Sequence, residues 1–488
     1  MSDGPRGQSG PMTAPALPRW ARWLDGLALF CLFLGLAIAV SPARLRLDLG
    51  WTRVSVDSAW RPVVAGLVVL VARHWWQPRP HLGQRMRSGS HHLASPAVGL
   101  SARMLLATRL PILAIGCAAM LLIGLAPEVR PISENPIRGL PARWDATWYI
   151  EIARVGYHDP LRPPGGQQPI VFFPAYPMMM RALAAFTTPD RSRGMSYDQY
   201  LEIRTVHLAW CGVAISLLAF AAAMVVVYRW AEARAGPDAA SGTVVLLATY
   251  PFAVFYSAPY TESLFLLLTA GACHAFEKGR LPVAGAAALL AGLTRPNGLM
   301  LSVPLGVLSL RELRAREPGW RARLASRLLV AAMPFIGTLI YSGFSKTLTG
   351  DPLAWLHGHA AWGRDSASTL EHYEWIVRTV HQEGILAYVR ALPAEAVQLV
   401  AVVCALALVW PVWRRVGAAY ALFILANLLP PLAQGGLLSI GRFTATLFPL
   451  FLALALLVAA ERRTTLVIVF AIAQGFIATV FFTWRPIY

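Results

Sequence analysis

The side chains best suited to chemistry in this chain lie in short polar segments between long apolar runs. Asp145 is the first of them and stands among aromatic residues in the segment RWDATWY at 143–149. Partial desolvation raises the basicity of a carboxylate, so Asp145 could act as a general base that takes a proton from a hydroxyl group. The alternative is that Asp145 only caps the short helix predicted after it.

Two arginines form a second group, Arg295 in the segment TRPNG at 294–298 and Arg442 in the segment GRF at 441–443. The topology predicted below puts both arginines on the outer side of the membrane. Positive residues are enriched in cytoplasmic loops, so this tendency does not explain arginines on the outer side. A guanidinium group presents several coplanar donors to a phosphate. We therefore expect Arg295 and Arg442 to hold a phosphate, with Arg143 as a third candidate. The alternative is that these side chains merely reach toward the membrane surface.

Glu262 begins an apolar run in the segment PYTES at 259–263. A carboxylate at the head of a membrane span is unfavourable unless it is paired, so a partner is expected, although Glu262 could also simply complement the helix dipole. The segment FFPAYP at 172–177 is either an aromatic anchor at the membrane interface or part of the site. Residues expected to bind substrate or to support the site are Glu262, Asn297, Trp144, Tyr149, Tyr157, Phe173, Tyr176 and Tyr260.

The amino-acid composition indicates a membrane protein. Of 488 residues, 56% are hydrophobic and 14% are charged, whereas about a quarter of a soluble domain is charged. Disordered, fibrous and soluble globular proteins are therefore excluded. The 43 Lys and Arg residues exceed the 25 Asp and Glu residues, but most positive charge lies between apolar runs and indicates topology and contact with anionic membrane lipids, not nucleic-acid binding. The five cysteines lie inside apolar runs without disulfide or metal-site spacing.

The apolar runs predict an all-α polytopic membrane protein with about 13 transmembrane helices. Residues 1–18 are predicted to be a disordered cytoplasmic tail, and 19–104 to contain two extra N-terminal transmembrane helices and a basic cytoplasmic loop. The main transmembrane domain is expected at 105–488, with large outer loops at about 127–204 and 349–392. Hydropathy and the charge of the loops carry this prediction.

Some apolar stretches do not fit a simple span. Residues 170–186 contain two prolines and one arginine. Their interpretation as an interfacial helix within the first outer loop keeps the arginine-rich loop at 311–327 in the cytoplasm. The runs at 281–293 and 298–310 would each be about 20 Å long as helices, too short for an apolar core of about 30 Å. Such broken helices are tolerated where their backbone is buried or lines a cavity.

Five segments, RWDATWYIEIARVGY, FFPAYP, PFAVFYSAPYTESLFLLL, GLTRPNGL and GRF, occur in this order. Together they resemble the mannosyltransferase family that adds the second mannose in GPI-anchor assembly (PIG-V, GPI mannosyltransferase 2) and its bacterial homologues, from about Leu105 to the C-terminus. Trp148 stands where many eukaryotic members have His. The resemblance implies the GT-C glycosyltransferase architecture, with an acidic residue in a large first outer loop, and a polyprenyl-phosphate-linked sugar donor, normally mannose.

The resulting hypothesis is a membrane hexosyltransferase that moves mannose from polyprenyl-phosphate-mannose to an acceptor hydroxyl, with inversion, on the outer face of the cytoplasmic membrane. Asp145 would be the base, and the arginines would hold the phosphate. Since no DxD pair lies near Asp145, transfer without metal or cofactor is predicted, although Glu262 and Asp159 leave a shared base or metal role open. The acceptor, a lipid, glycan or protein, stays open.

A transporter or lipid flippase is the rival hypothesis. Transporters also contain broken helices and charged residues near the middle of the membrane. That hypothesis gives no reason for an aspartate within a long outer loop, which favours the enzyme.

Overall fold

The computed structural model describes residues 95–157, 166–187, 194–315, 317–363 and 366–486, and in the N-terminal part residues 18, 20, 21, 23–28, 31, 45–48, 53–56 and 60–76. The chain forms two compact units, one of Met1–Ser95 with Ala185–Ser192 and one of Pro96–Ala184 with Arg193–Tyr488. The predicted tail up to residue 17, most of the first predicted span at 24–40, most of the basic loop at 77–104 and Asp159 lie outside the described residues.

The first unit contains a β-hairpin and helical segments among its described residues. Strands β1 (Leu45–Asp48) and β2 (Arg53–Val56) pair antiparallel, and helix α1 (Trp60–Trp76) coincides with the second predicted span. The strand sequences LRLD and RVSV alternate apolar and polar residues, which is the period of a strand and not of a helix. Asp25 and Arg73 form a buried ion pair at 2.9 Å.

From Pro96 onward the described residues form helices joined by turns and loops. The first of them are α2 (Pro96–Leu122), α3 (Ala146–Val155), α4 (Ala175–Thr187), α5 (Tyr197–Thr249), α6 (Glu262–Glu277), α7 (Leu281–Gly292), α8 (Ser302–Ser309) and α9 (Arg311–Ala315). The remainder are α10 (Trp320–Thr349), α11 (Ala354–His357), α12 (Ser366–Glu383), α13 (Ile385–Ala391), α14 (Pro393–Ala407), α15 (Val409–Arg415), α16 (Ala418–Gly435), α17 (Ile440–Ala445), α18 (Phe448–Leu457) and α19 (Ala460–Phe482). Short 3-10 segments cover Pro169–Val171, Pro251–Tyr256, Pro296–Leu301 and Gly358–Trp362.

The protein is a multi-pass membrane protein. Six helical segments of the described residues are long and apolar enough to cross a membrane, namely α2, α5, α10, α14 with α15, α16 and α19. Shorter apolar helices cover Val63–Arg73, Leu281–Gly292 and Phe448–Leu457. The helical class agrees with the sequence, whereas the total of about 13 crossings stays a prediction.

Helix α5 has 53 residues and corresponds to two predicted spans. An unbroken helix of this length would measure about 80 Å, far more than the apolar core of a bilayer. The break lies at Gly236, which has φ +80° and precedes Pro237. Glycine adopts this left-handed conformation without steric penalty, so the helix can end and restart there.

The hairpin of α7 and α8 packs against α10. Its turn is unusually close to neighbouring backbone, because a side-chain carbon at Gly298 would lie 2.1 Å from the carbonyl oxygen of Ala291. At Gly292 the added carbon would lie 2.0 Å from the carbonyl oxygen of Pro334. Glycine at Gly298 therefore lets the turn fold closely onto the end of α7, and glycine at Gly292 lets α7 pack directly against the backbone of α10, as expected for broken helices.

The described part of the predicted first outer loop, 127–204, contains α3 and α4. With 13 residues, α4 is about 20 Å long, which is too short to cross the apolar core and fits the interfacial interpretation. Arg181 of α4 donates a hydrogen bond from Nε to the carbonyl oxygen of Ala153 in α3 at 2.7 Å. The predicted second outer loop, 349–392, is itself mostly helical and contains α11, α12 and α13.

Candidate active site

A cavity of about 630 Å³ in the second unit brings distant polar segments together. Its wall includes Asp145 before α3, Arg295 between α7 and α8, and Arg442 of α17. Four further residues predicted for the site, Trp144, Tyr149, Phe173 and Asn297, also line it. The broken hairpin thus contributes its turn to a cavity wall, as the pattern of two short apolar runs predicts.

The carboxylate of Asp145 contacts an arginine and does not cap a helix. Asp145 occupies the position before α3, yet its side chain makes no capping hydrogen bond. Instead Oδ2 accepts a hydrogen bond from Nη1 of Arg442 at 2.5 Å. The hydroxyl of Tyr260 accepts a hydrogen bond from the Asp145 backbone N–H at 3.0 Å and donates to the carbonyl oxygen of Arg143 at 3.1 Å. Tyr260 therefore supports the backbone of the aspartate from outside the cavity lining.

Glu262 is buried beside the two cavity arginines, with only 1% of its side chain exposed. Its Oε1 lies 2.8 Å from Nη1 of Arg295 and 3.4 Å from Nε of Arg442. The partner expected for a carboxylate at the head of this span is therefore present. Asp145, Arg442, Glu262 and Arg295 form one continuous chain of ion pairs, in which two carboxylates balance two guanidinium groups.

The two arginines are held inside the protein by this network and by aromatic rings. Arg295 lies over the rings of Phe265 and Phe443 at 5.6 and 4.9 Å, and Arg442 lies 5.5 Å from the ring of Tyr260. Such cation–π contacts add to ion pairing in a desolvated site. Only 7% of the Arg295 side chain and 13% of the Arg442 side chain are exposed, which favours a role in the site over the alternative of side chains that reach toward the membrane surface.

Backbone strain is concentrated around the same cavity. Three non-glycine residues of the described chain have positive φ, namely Trp144 (+52°), Ser439 (+56°) and Trp484 (+59°), and all three line the cavity. This left-handed conformation is unfavourable for residues with a side chain and tends to occur at functional sites. Trp144 precedes Asp145 directly, and Ser439 lies three residues before Arg442.

The short helix α17, which carries Arg442, is anchored on two sides. Gln398 of α14 accepts a hydrogen bond from the backbone N–H of Gly441 at 2.6 Å, and the hydroxyl of Tyr256 donates to the carbonyl oxygen of Ala445 at 2.5 Å. A side-chain carbon at Gly441 would lie 2.2 Å from the ring of Phe252. The glycine of the GRF segment therefore permits the close contact that positions the following arginine.

Arg143 is not among the residues that line the cavity. Its Nε donates to the carbonyl oxygen of Phe482 and its Nη1 to that of Gly139, both at 2.7 Å, and its burial lowers the pKa of the guanidinium to about 10. Through these hydrogen bonds, the Arg143 side chain stabilises the loop before Asp145. The structure thus gives no support to Arg143 as a phosphate ligand.

Tyr157 and Tyr176 lie behind the cavity wall. The hydroxyl of Tyr157 donates to the carbonyl oxygen of Phe172 at 2.8 Å, and that of Tyr176 donates to the carbonyl oxygen of Gly212 at 2.8 Å. The ring of Tyr176 lies 5.5 Å from that of Tyr149. Both residues support the aromatic wall, and neither belongs to the cavity lining.

Several cavity residues were missed by the sequence analysis. Trp355, His359 and Trp362 come from the second outer loop, and the ring of Trp362 lies 5.0 Å from that of Trp148. The density of tryptophan and histidine in the segment WLHGHAAW at 355–362 was the available signal. Among the described residues, no group of three His, Cys, Asp or Glu side chains forms a metal-binding cluster.

Part of the chain matches a known protein family. Residues 121–314 match the family model described as Mannosyltransferase (PIG-V). Over this region the chain is similar to that family. The matched region includes Asp145, Glu262, Arg295 and Asn297, while Arg442 comes from the chain beyond it. No curated protein and no solved structure gives a significant match.

Proposed function

We propose that this protein is a mannosyltransferase of the GT-C architecture that moves a mannosyl residue from polyprenyl-phosphate-mannose to an acceptor hydroxyl on the outer face of the cytoplasmic membrane. The observation that carries the proposal is the 2.5 Å contact between Asp145 and Arg442 in the wall of the cavity. This contact places the Asp145 carboxylate, which is suited to proton transfer, next to the Arg442 guanidinium group, which is suited to binding a phosphate. The region that matches the mannosyltransferase family model contains three of the four charged groups in the network.

The proposed reaction is a single displacement with inversion. The acceptor oxygen attacks the anomeric carbon while Asp145 takes the proton of the hydroxyl group. The bond between that carbon and the phosphate oxygen breaks, and polyprenyl phosphate leaves with the bonding electron pair. Arg442 and Arg295 stabilise the negative charge that develops on the leaving phosphate. Because two guanidinium groups supply this stabilisation, the proposed transfer needs no metal ion or cofactor.

Donor binding must rearrange the ion pairs in this mechanism. Arg442 already contacts Asp145, so a donor phosphate that binds this arginine competes with the carboxylate. Displacement would free Asp145 to accept a proton, and Glu262 would continue to hold Arg295 in place. The donor would therefore bind before the base becomes active.

The test uses the full-length protein in proteoliposomes with polyprenyl-phosphate-[¹⁴C]mannose and a membrane extract as the source of acceptors. We expect radiolabel to move from the donor into a new product, with the rate unchanged by EDTA. Absence of product would contradict the proposal. Passage of intact donor across the bilayer without product would support the transporter hypothesis instead.

A further inference from the structure

A pair of asparagine side chains lies beside the charged network. Asn297 lines the cavity two residues after Arg295, within the 3-10 segment Pro296–Leu301. Its Nδ2 donates a hydrogen bond to Oδ1 of Asn427 at 2.8 Å. Asn427 belongs to α16 and is completely buried, and its own Nδ2 donates to the carbonyl oxygen of Phe423 at 2.9 Å.

The orientation of both amide groups follows from this sequence of bonds. A backbone carbonyl can only accept a hydrogen bond, so Asn427 must direct its NH₂ group toward Phe423. The oxygen of Asn427 then faces Asn297, which must direct its own NH₂ group toward it. A flipped amide at either residue would place oxygen against oxygen. The oxygen of Asn297 is therefore left as a hydrogen-bond acceptor.

That oxygen lacks a partner in the structure. Oδ1 of Asn297 is buried and has no hydrogen-bond partner among the described residues. Most buried polar side-chain atoms are paired, so an unpaired one in a native structure calls for an explanation. At the wall of a substrate cavity, the simplest explanation is that a donor group of the substrate completes the bond.

We infer that Oδ1 of Asn297 accepts a hydrogen bond from one hydroxyl group of the donor sugar and thereby takes part in selecting that sugar. The inference rests on the proposed function. Arg295, proposed to bind the phosphate, lies in the same segment as Asn297, so the sugar attached to that phosphate is the nearest part of the donor. A site that hydrogen-bonds a hydroxyl group discriminates strongly against an analogue that lacks it.

The experiment measures equilibrium binding of a short-chain polyprenyl-phosphate-mannose and of its 2-, 3-, 4- and 6-deoxy analogues to the purified full-length protein. We expect wild type to bind one analogue about tenfold more weakly than the parent donor. Asn297→Leu should bind the parent donor about tenfold more weakly and should show no further loss with that same analogue. Such non-additive effects report a direct interaction.

Two further variants keep the result interpretable. Asn297→Leu leaves the oxygen of Asn427 unpaired, so the double variant Asn297→Leu/Asn427→Leu, which replaces the whole pair, should give the same binding pattern if the single variant does not fold. Thr147→Val removes a cavity hydroxyl that already donates to the carbonyl oxygen of Trp144 at 2.9 Å. Thr147→Val should rank the parent donor and its four deoxy analogues in the same order as wild type, even if its affinity for all five donors changes.

The outcomes separate this inference from the proposed function. The role of Asn297 would be overturned if the affinity lost through Asn297→Leu and the affinity lost through deoxygenation were additive in free energy for every deoxy donor. It would also be overturned if wild type bound all four analogues as tightly as the parent donor. Neither result would affect the proposed mannosyl transfer. Failure of wild type to bind or transfer mannose would instead overturn the proposed function and, with it, this inference.

Discussion

At the scale of single residues, the contact between Asp145 and Arg442 unites the two halves of the proposed chemistry. The carboxylate is partly exposed to the cavity, since 23% of its side chain is accessible. It is also paired with the cation that would bind the leaving phosphate. Its availability as a base therefore depends on what else Arg442 binds, which a substitution at Asp145 can reveal.

Asp145→Asn is expected to slow mannosyl transfer by about 10²- to 10⁴-fold, because an amide cannot take the proton of the acceptor. The same substitution removes the carboxylate that competes for Arg442, so the donor should bind more tightly than to wild type. Initial transfer rates and equilibrium donor binding measure the two effects. Asp198→Asn makes the same chemical change at an exposed position and should alter neither quantity. Wild-type transfer would remove Asp145 as the base, and weaker donor binding would contradict the competition.

Glu262→Gln is expected to destabilise the protein by about 3–5 kcal/mol, since it leaves Arg295 buried without its charge partner. The matched control is Glu317→Gln, because the Glu317 side chain pairs with Arg323 at 3.5 Å but is 73% exposed. Loss of such a surface pair should change stability by less than about 1 kcal/mol. Chemical denaturation of the two variants in the same detergent provides the comparison. Equal stabilities would mean that the buried network does not contribute as the structure indicates.

At the scale of elements, the position of α17 determines where Arg442 points. This helix has six residues, too few to be stable without tertiary packing. Its placement depends on the hydrogen bond from Gly441 to Gln398 and on the close contact with the segment Pro251–Tyr256. The segment around Phe252 also leads into α6, so one packing contact links Arg442 to Glu262 at the start of that helix.

Gly441→Ala is expected to lower the melting temperature and to slow transfer by up to about 10²-fold, because the new carbon would collide with Phe252 and displace Arg442. Gly343→Ala in α10 is the control, since a carbon added there meets nothing within 4 Å. It should leave activity unchanged and stability unchanged or slightly higher. Transfer assays and thermal unfolding measure both variants. A Gly441→Ala enzyme with the wild-type rate would show that the close contact is not required.

At the scale of the whole molecule, the orientation of the cavity depends on the charge of the loops. Residues 311–327 are rich in arginine, and Glu312 there pairs with Arg323 and Arg327 at 2.8 and 3.1 Å. Hydrogen bonding to Arg323 lowers the pKa of Glu312. Positive loops are retained in the cytoplasm, so the loop that carries Asp145 should lie on the opposite side.

Thiol labelling tests this orientation directly. Glu134→Cys, at an exposed position of the loop before Asp145, should react with a membrane-impermeant maleimide in intact cells. Ala322→Cys, exposed near the start of α10 within the arginine-rich segment 311–327, should react only after permeabilisation. The unmodified chain measures background from its native cysteines, including the exposed Cys404. The reverse pattern would place the cavity on the cytoplasmic side and contradict the proposed localisation.

Much of the helical framework could be predicted because hydropathy is a local property. The second predicted span, 60–76, coincides with α1, and the short helix expected after Asp145 ends at Gly156, whose N–H bonds to the carbonyl oxygen of Ile152 at 2.9 Å. Glu262 was expected to have a partner, but its identity was not predictable. A buried carboxylate requires a counter-charge, and nothing local specifies which arginine supplies it.

By itself, the sequence determined that the chain enters the membrane repeatedly, because apolar runs and charge patterns act over neighbouring residues. It also predicted that Asp145, Arg295 and Arg442 belong to the functional site. Only the tertiary structure decided that Arg442 contacts Asp145, that Arg143 binds backbone carbonyls instead, and that the second outer loop completes the cavity wall. These contacts join residues up to 339 positions apart, and they arise from the packing of helices against one another, which no local pattern encodes.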